Sequence, residues 1–554
     1  MFIINSIYTT YTHLNFVYYQ FNLYNIINNF RNKNLYKRTN KNVKLPELPQ
    51  PFKPMFPMGT DKYKPLPNTV FNIYAKCDKK AYTDLIEKPF YDGEEEEQNE
   101  GIANCTLSVI SPDEVFSTTG NIHLIGYGSR LYKKLSWTIK FDNKFYGRKA
   151  VKMRAMANDP SLVREKFASE LYKSAGIPVQ ECTYARLFIN GDSYGLYTMS
   201  DSLNRKWLKN YIHGDSKAAI GYAYKMDSSW PEGPYADFKY KSDDFNEYRE
   251  EWTYFVDEYE KPKGAKIEQE DPKNWEHLIK FIKLYRDWAN KYSNDTSDVA
   301  VQELEKFFNV ESLIRLLAVE SLTVASDNFW LVMSNSDLYY NAEKQYYQIL
   351  PFDFDRLLSG PLDNTLIDPE GFMGDCINWA YYDESTIDHY FTKNIMKHPQ
   401  IKNRYDFILA KLSKYNFDKR VIHNYIEKLT ELIKEDVAWT FEQNDKLSIP
   451  YKGLVNHYTQ KDFDNNMVNQ NKNLSEFKKV NEGEDDSIQV DFMQFVEMRG
   501  DSCRAYTSTI DIEKNKDDRY DLDLTDDVFD FSGANTLKAS TILLALSLLF
   551  LVIF

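Results

Sequence analysis

The chain is poor in several residues that mark common site chemistries. Its five cysteines (Cys77, Cys105, Cys182, Cys376 and Cys503) include no Cys-x-x-Cys pair, which argues against a structural zinc site. The odd count permits at most two internal disulfides and leaves one thiol over. Basic charge is in deficit, with 68 Lys and Arg against 82 Asp and Glu and a net charge of −14. General affinity for nucleic acid needs the opposite balance. The excess acid lies mainly in Glu94–Glu97 and Asp485–Asp530. Glycine is scarce where a phosphate loop would need it, since Gly126-Tyr127-Gly128-Ser129-Arg130 offers only two. No internal repeat is evident. Met1–Phe30 lacks the basic start, clean apolar stretch and small-residue cleavage site of a signal peptide, so none is recognisable there.

What is present suffices for a large core: 43% hydrophobic and 15% aromatic residues in 554, a length that suits two to four domains. The C-terminal run Ala539–Phe554 is apolar to its last residue. It is short for a bilayer span, which needs about 20 residues. Small residues (Ser532, Gly533, Ala534) and a short polar spacer precede it, the order of a glycolipid (GPI) anchor signal. A GPI anchor is the favoured reading and a C-terminal membrane helix the alternative. Three Asn-x-Ser/Thr sequons, at Asn104, Asn294 and Asn473, are compatible with secretion.

Along the chain, residues 1–65 read as a low-complexity segment ending in a proline-dense linker. Residues 66–205 carry short β-branched and aromatic runs, one helix entered at Asp159-Pro160-Ser161, and a hairpin turning at Asn190-Gly191. Residues 206–455 are mainly helical, with Trp275 and Trp288 at core positions. Residues 456–531 read as a disordered acidic stalk, with a short ordered element at Ile488–Met498, and residues 532–554 as the anchor. The fold class expected is α+β, a β-rich lobe before a mainly helical one. His123 and His389 are isolated and read as structural or surface groups.

The stretch Asp327–Asp355 interrupts the helices. It reads as two apolar strands, Phe329–Met333 and Gln345–Leu350, turning near Asn341, with Asp327, Asn328, Asn335, Asp337, Asp353 and Asp355 at the ends and middle. Oxygen donors on rigid elements are what hard cations and phosphates require. An Asp, then an Asn, then Asp-Phe-x is the layout of a kinase catalytic loop and its metal-binding Asp.

Four ordered segments resemble one family: Lys134–Phe141 (KLSWTIKF), Asn158–Phe167 (NDPSLVREKF), Leu187–Tyr197 (LFINGDSYGLY), and Asp327…Asn335…Pro351-Phe352-Asp353-Phe354-Asp355. They resemble the CotH family of spore-coat-H-type atypical kinases, also found as fungal surface proteins, over roughly residues 65–455. The resemblance implies a two-lobed protein-kinase-like fold using ATP with Mg or Mn, and phosphorylation of coat or wall proteins. It also implies an alternative, a silent adhesin or invasin binding a host surface protein. Carried over by position, Asp327 would be the catalytic base and Asn335 a metal ligand. Seven residues separate the two (335 − 327 − 1), where an ordinary kinase loop has four. Asp353 would be the main metal ligand and Asp355 a second ligand or a phosphate-side helper. Lys134 or Lys152 would pair the nucleotide phosphates, with Glu165 as ion-pair partner and Arg164 as an alternative phosphate contact. The chain departs from the family where Met199-Ser200-Asp201 stands for a commonly acidic position, and where Asn328–Ser334 is more apolar.

Overall fold

The computed structural model describes residues 43–529 and 531, apart from 92–96, 230–232, 263, 360–361, 364–373, 382–386 and 474–486. The anchor reading at 532–554 and most of the N-terminal segment lie outside the described residues.

Among the described residues, seven strands close a barrel in the order β1-β2-β3-β4-β5-β7-β6. They are β1 (Val70–Cys77), β2 (Ala103–Ile110), β3 (Val115–Leu124), β4 (Trp137–Phe145), β5 (Arg148–Arg154), β6 (Cys182–Ile189) and β7 (Asp192–Asp201). The period of two decides what each strand buries. On β1, Phe71, Ile73, Ala75 and Cys77 enter the barrel core, and on β5, Val151 and Met153 do the same. Lys152 and Arg154 are thereby turned to the outer face. The β6–β7 hairpin turns where expected, with Asn190 at φ 51° and Gly191 at φ 99°, the left-handed pair that a two-residue hairpin needs. The barrel is a closed form of the expected β-rich region, so the mixed α+β class holds.

Helix α1 (Arg164–Ser174) follows β5. Its Phe167, Leu171 and Tyr172 join the large core of the helical body rather than that of the barrel, and conversely Leu447 and Ile449 join the barrel core. The two cores therefore do not divide at residue 205. The body holds α2 (Glu276–Tyr292), α3 (Val310–Thr323), α4 (Phe329–Val332), α5 (Pro399–Tyr415) and α6 (Val437–Lys446), besides other helices. A four-stranded sheet sits among them in the order β11-β10-β8-β9: β8 (Ala223–Met226), β9 (Tyr254–Glu258), β10 (Ser336–Asn341) and β11 (Tyr346–Pro351). Trp275 and Trp288 are buried in this core, as the sequence implies.

Three expectations need correction. Phe329–Met333 is not a strand, because its first four residues form the single turn α4. The strand begins later, at Ser336, and pairs antiparallel with β11. The proline-dense stretch is not a free linker, since Leu48, Phe52, Phe56 and Tyr63 are buried. Residues 456–531 are not a disordered stalk throughout. Helix α7 (Phe492–Tyr506) buries Phe492, Met493, Phe495 and Val496. Cys503 on it is bonded to Cys376, while a second disulfide links Cys77 and Cys105 and Cys182 stays a buried thiol. The two supposedly loose segments meet: Lys53 N–H donates to the Tyr520 carbonyl (2.7 Å) and Leu522 N–H to that of Pro51 (3.0 Å). Arg404 donates to both oxygens of Asp521 at 2.8 and 2.9 Å.

If residues 490–503 are core, Phe495→Ala should cost about 3–5 kcal/mol of unfolding free energy, measured by urea denaturation. A change within about 0.5 kcal/mol, the size of an ordinary surface effect, would restore the stalk.

Candidate functional site

The barrel and the small sheet face each other across a cleft. Arg154, the last residue of β5, donates from both arms of its guanidinium to Asp353, one of these bonds at 2.7 Å. Its Nε lies 3.5 Å from Glu165 Oε1 at the start of α1, and its Nη2 3.6 Å from Asp355. Thr198 on β7, the register partner of Arg154, donates to Glu165 Oε2 at 2.6 Å. Lys152, two residues back on the same strand face, lines the same small cavity of about 20 Å³ together with Glu165, Phe352, Asp353 and Phe354.

Asp327 enters from the other side. Asn335 Nδ2 donates to the Asp327 backbone carbonyl (2.8 Å) and to its Oδ2 (3.0 Å). Asn328 does not cap α4. Its Nδ2 reaches over to the carbonyls of Phe352 (3.0 Å) and Asp353 (3.3 Å), tying the two loops together. Asn335 (φ 46°) and Asp353 (φ 60°) both occupy the left-handed region, which Asn and Asp tolerate best among residues with a Cβ. Such backbone strain gathers at functional loops.

The electrostatics are those of a crowded acidic site. Burial and the neighbouring Asp353 push the Asp355 carboxyl up to about 7. Burial also raises Asp327, with Asp353 adding to it and Arg356, 3.8 Å away, opposing. Asp353 alone is held below the usual range: burial would raise it, but Arg154 more than compensates. Lys152 is lowered by burial and then by Arg154, against the pull of Asp353 and Asp257. A second charged layer lies behind. Asp337 on β10, opposite Lys225 on β8, is 1% exposed and raised by burial and by Asp257 of β9.

The structure thus brings together Asp327, Asn335, Asp353, Asp355, Lys152 and Glu165, and sets two expected residues elsewhere. Lys134 is buried outside the cleft, its Nζ donating to the Leu196 carbonyl at 2.7 Å and lying 4.8 Å over the Tyr197 ring. It ties β7 to α6 through Thr440 Oγ1 at 3.4 Å. Arg164 is fully buried and spends its guanidinium on Asp159, the Leu358 and Val490 carbonyls (3.1 and 2.8 Å) and Asn466 (3.2 Å). Neither is free to meet a phosphate. Arg154, Arg356 and Asp257 are missing from the sequence reading. Arg154 was within reach of it, because strand alternation puts it on the same face as Lys152.

A divalent cation suits the donor set, which is all oxygen: Asp327, Asn335, Asp353 and Asp355. Asp355, raised by its neighbour, is the kind of group that an added positive charge would return to its ionised form. Among the described residues, no three His, Cys, Asp or Glu side chains are already arranged around one point, and Arg154 holds the position on Asp353 that a cation would share.

The barrel, the sheet and the carboxylate-lined cleft between them define an α+β protein with a polar interdomain-type site. Compared with known families, the chain matches the family described as CotH kinase protein over residues 120–452, more than half its length, and it belongs to that family. It is similar to the Rhizopus delemar proteins Invasin CotH3 (23% identical over 341 residues; 60% of this chain and 52% of that one) and Invasin CotH2 (23% over 424; 74% and 65%). It is also similar to inner spore coat protein H of Bacillus subtilis (27% over 229; 41% and 55%). The chain spans about half to two thirds of the length of these curated relatives.

Burial lowers Lys134 from its ordinary value to about 7. Between about pH 7 and 10.4, the unfolded-state lysine value, the unfolded chain binds a proton that the folded one has released, so this residue makes stability rise with pH. Lys134→Met should remove that rise in denaturation curves taken from pH 7 to 10. An unchanged slope would mean that the ammonium is not desolvated.

Proposed function

We propose that the chain is an atypical protein kinase of two-lobed plan, acting at the cell surface or in the secretory pathway. It would transfer the terminal phosphoryl group of ATP to Ser or Thr of wall or coat proteins. The observation that carries this reading is that the Asp327–Asn335 pair is tied through Asn328 to the loop of Asp353, which Arg154 holds in a cavity lined by Lys152 and Glu165.

Asp327 Oδ would accept the proton of the attacking hydroxyl, and its carboxyl, raised by burial, is a better base than a solvated one. Asn335 keeps that carboxylate oriented through its bond to Oδ2, and holds the same residue's backbone through its bond to the carbonyl. Lys152 and Arg154 would neutralise phosphate charge in a site partly shielded from water, where such contacts are worth most. Glu165 holds Arg154 from the α1 side. Asp353, Asp355 and Asn335 would hold Mg²⁺ or Mn²⁺, which supplies charge neutralisation on the transferred group. The cavity is narrow, so nucleotide entry requires the Arg154–Asp353 contact to open.

The second reading, a silent surface adhesin, is favoured by that same contact, since Asp353 is already satisfied by a guanidinium, and by the names of the fungal relatives. C-terminal membrane anchoring, through a glycolipid, accompanies either reading; phospholipase release from cells is its test, and retention would point to a spanning helix.

With labelled ATP, Mn²⁺ and a generic acceptor, Asp327→Ala and Asp353→Ala should each lower incorporation by about 10²-fold or more. No incorporation by the unmodified protein, together with no thermal shift on adding Mn-ATP, would leave the adhesin.

A further inference from the structure

The turn that carries the catalytic-loop candidates has an unusual support. Helix α4 begins immediately after Asp327 and Asn328, and the first N–H groups of any helix need an acceptor from outside it. The residue placed to supply one, Asn328, makes no such bond. Its side chain is committed across the cleft to Phe352 and Asp353. The acceptor comes instead from α3. Glu320, fully buried, accepts the Phe329 N–H at Oε1 (3.2 Å) and the Trp330 N–H at Oε2 (2.7 Å).

A carboxylate is costly in such a place. Phe329, Trp330, Leu331 and Val332 around it are all buried, and burial raises the Glu320 carboxyl to about 8, with the two N–H groups opposing. Burying an ionisable group without a cation is disfavoured, and the two backbone hydrogen bonds are what offset that cost. Here both bonds go to one place, the backbone just beyond Asp327. Nearby, Tyr172 of α1, raised by burial and by Glu320, stacks on Phe354 of the Asp-Phe-Asp segment at 4.8 Å. The same buried corner therefore backs both acidic loops.

We infer that Glu320 is a positioning residue for phosphoryl transfer, holding the start of α4 so that Asp327 and Asn328 keep their places against Asp353. This inference rests on the proposed kinase reading. Glu320 does not reach the cleft and touches no reacting atom. Its effect passes through two amides, and a displacement of about 1 Å in a catalytic group can cost about 10²-fold in rate.

The test uses the full chain, unmodified and as Glu320→Leu and Glu320→Gln, with Leu107→Ala, in the barrel core, as a destabilised control. Rates are expressed per folded molecule, with Mn-ATP and dephosphorylated casein as probes, and hydrogen exchange is followed over residues 326–335. Glu320→Leu should lower kcat at least tenfold while KM for ATP stays within about twofold, and should speed exchange at Phe329 and Trp330. Glu320→Gln, which keeps an acceptor oxygen, should recover most of both. The control should change neither. Unchanged kcat per folded molecule in Glu320→Leu overturns the inference, as does a loss no greater than that of Leu107→Ala. If the unmodified protein transfers no phosphate, the kinase reading fails on its own. Exchange then decides the anchoring: faster exchange at those two amides upholds it, and unchanged protection ends it.

Discussion

A guanidinium with both arms on one carboxylate links the end of a barrel strand to the loop that follows the small sheet. Arg154 and Asp353 are 199 positions apart, and their pairing is a point where barrel and helical body share charge rather than apolar surface. The pair is only partly buried, with the Asp353 side chain 28% exposed, so deleting one partner costs less than the about 3–5 kcal/mol of a fully buried pair, yet leaves the other uncompensated. That constraint explains the arrangement around it. Glu165 stands behind Arg154, Thr198 donates to Glu165, and Asn328 ties the backbone of Asp353 to the Asp327 loop. Carboxylates that repel one another are kept together by this frame: burial and then Asp353 raise Asp355 and Asp327, while Arg154 holds Asp353 low.

The frame also accounts for the chain outside the cleft. Arg164 clamps the carbonyls of Leu358 and Val490, just beyond the acidic loop and at the head of α7. Ser359 Oγ accepts the Val490 N–H at 3.2 Å, and Arg499 donates to the Ser321 and Asp375 carbonyls at 2.8 and 3.1 Å. The C-terminal segment, beyond the residues matched by the family, therefore braces the chain that leaves the site.

Much of this was legible in residue order, and the failures have physical causes. The Asn190-Gly191 turn and the core tryptophans follow from local chemistry alone. Asn335 and Asp353 come near each other because they flank β10 and β11, which pair, while Asp327 joins them across the α4 turn through its bond with Asn335, which residue order alone did not show. Phe329–Val332 was misread because a four-residue apolar run carries no period, so a turn of helix and a strand look alike. Lys134 was preferred equally with Lys152 because it lies in the loop before β4, where no strand alternation says which way a side chain points, whereas Lys152 is on β5. Glu165 and Arg164 are adjacent on one helix, and the sequence could not say which side-chain direction met the barrel. The short ordered element read at Ile488–Met498 is present, but the aspartates on either side hid its extent: the helix runs to Tyr506 and packs into the helical core.

The central claim is that these carboxylates take a divalent ion together with a nucleotide. Electron paramagnetic resonance of Mn²⁺ titrated with the protein, with and without ATP, tests it most directly. The account predicts that ATP and protein together deplete the free-ion signal beyond what ATP alone does, and that Asp353→Ala abolishes the extra depletion. Equal depletion by the variant, or none by the unmodified chain, would contradict it.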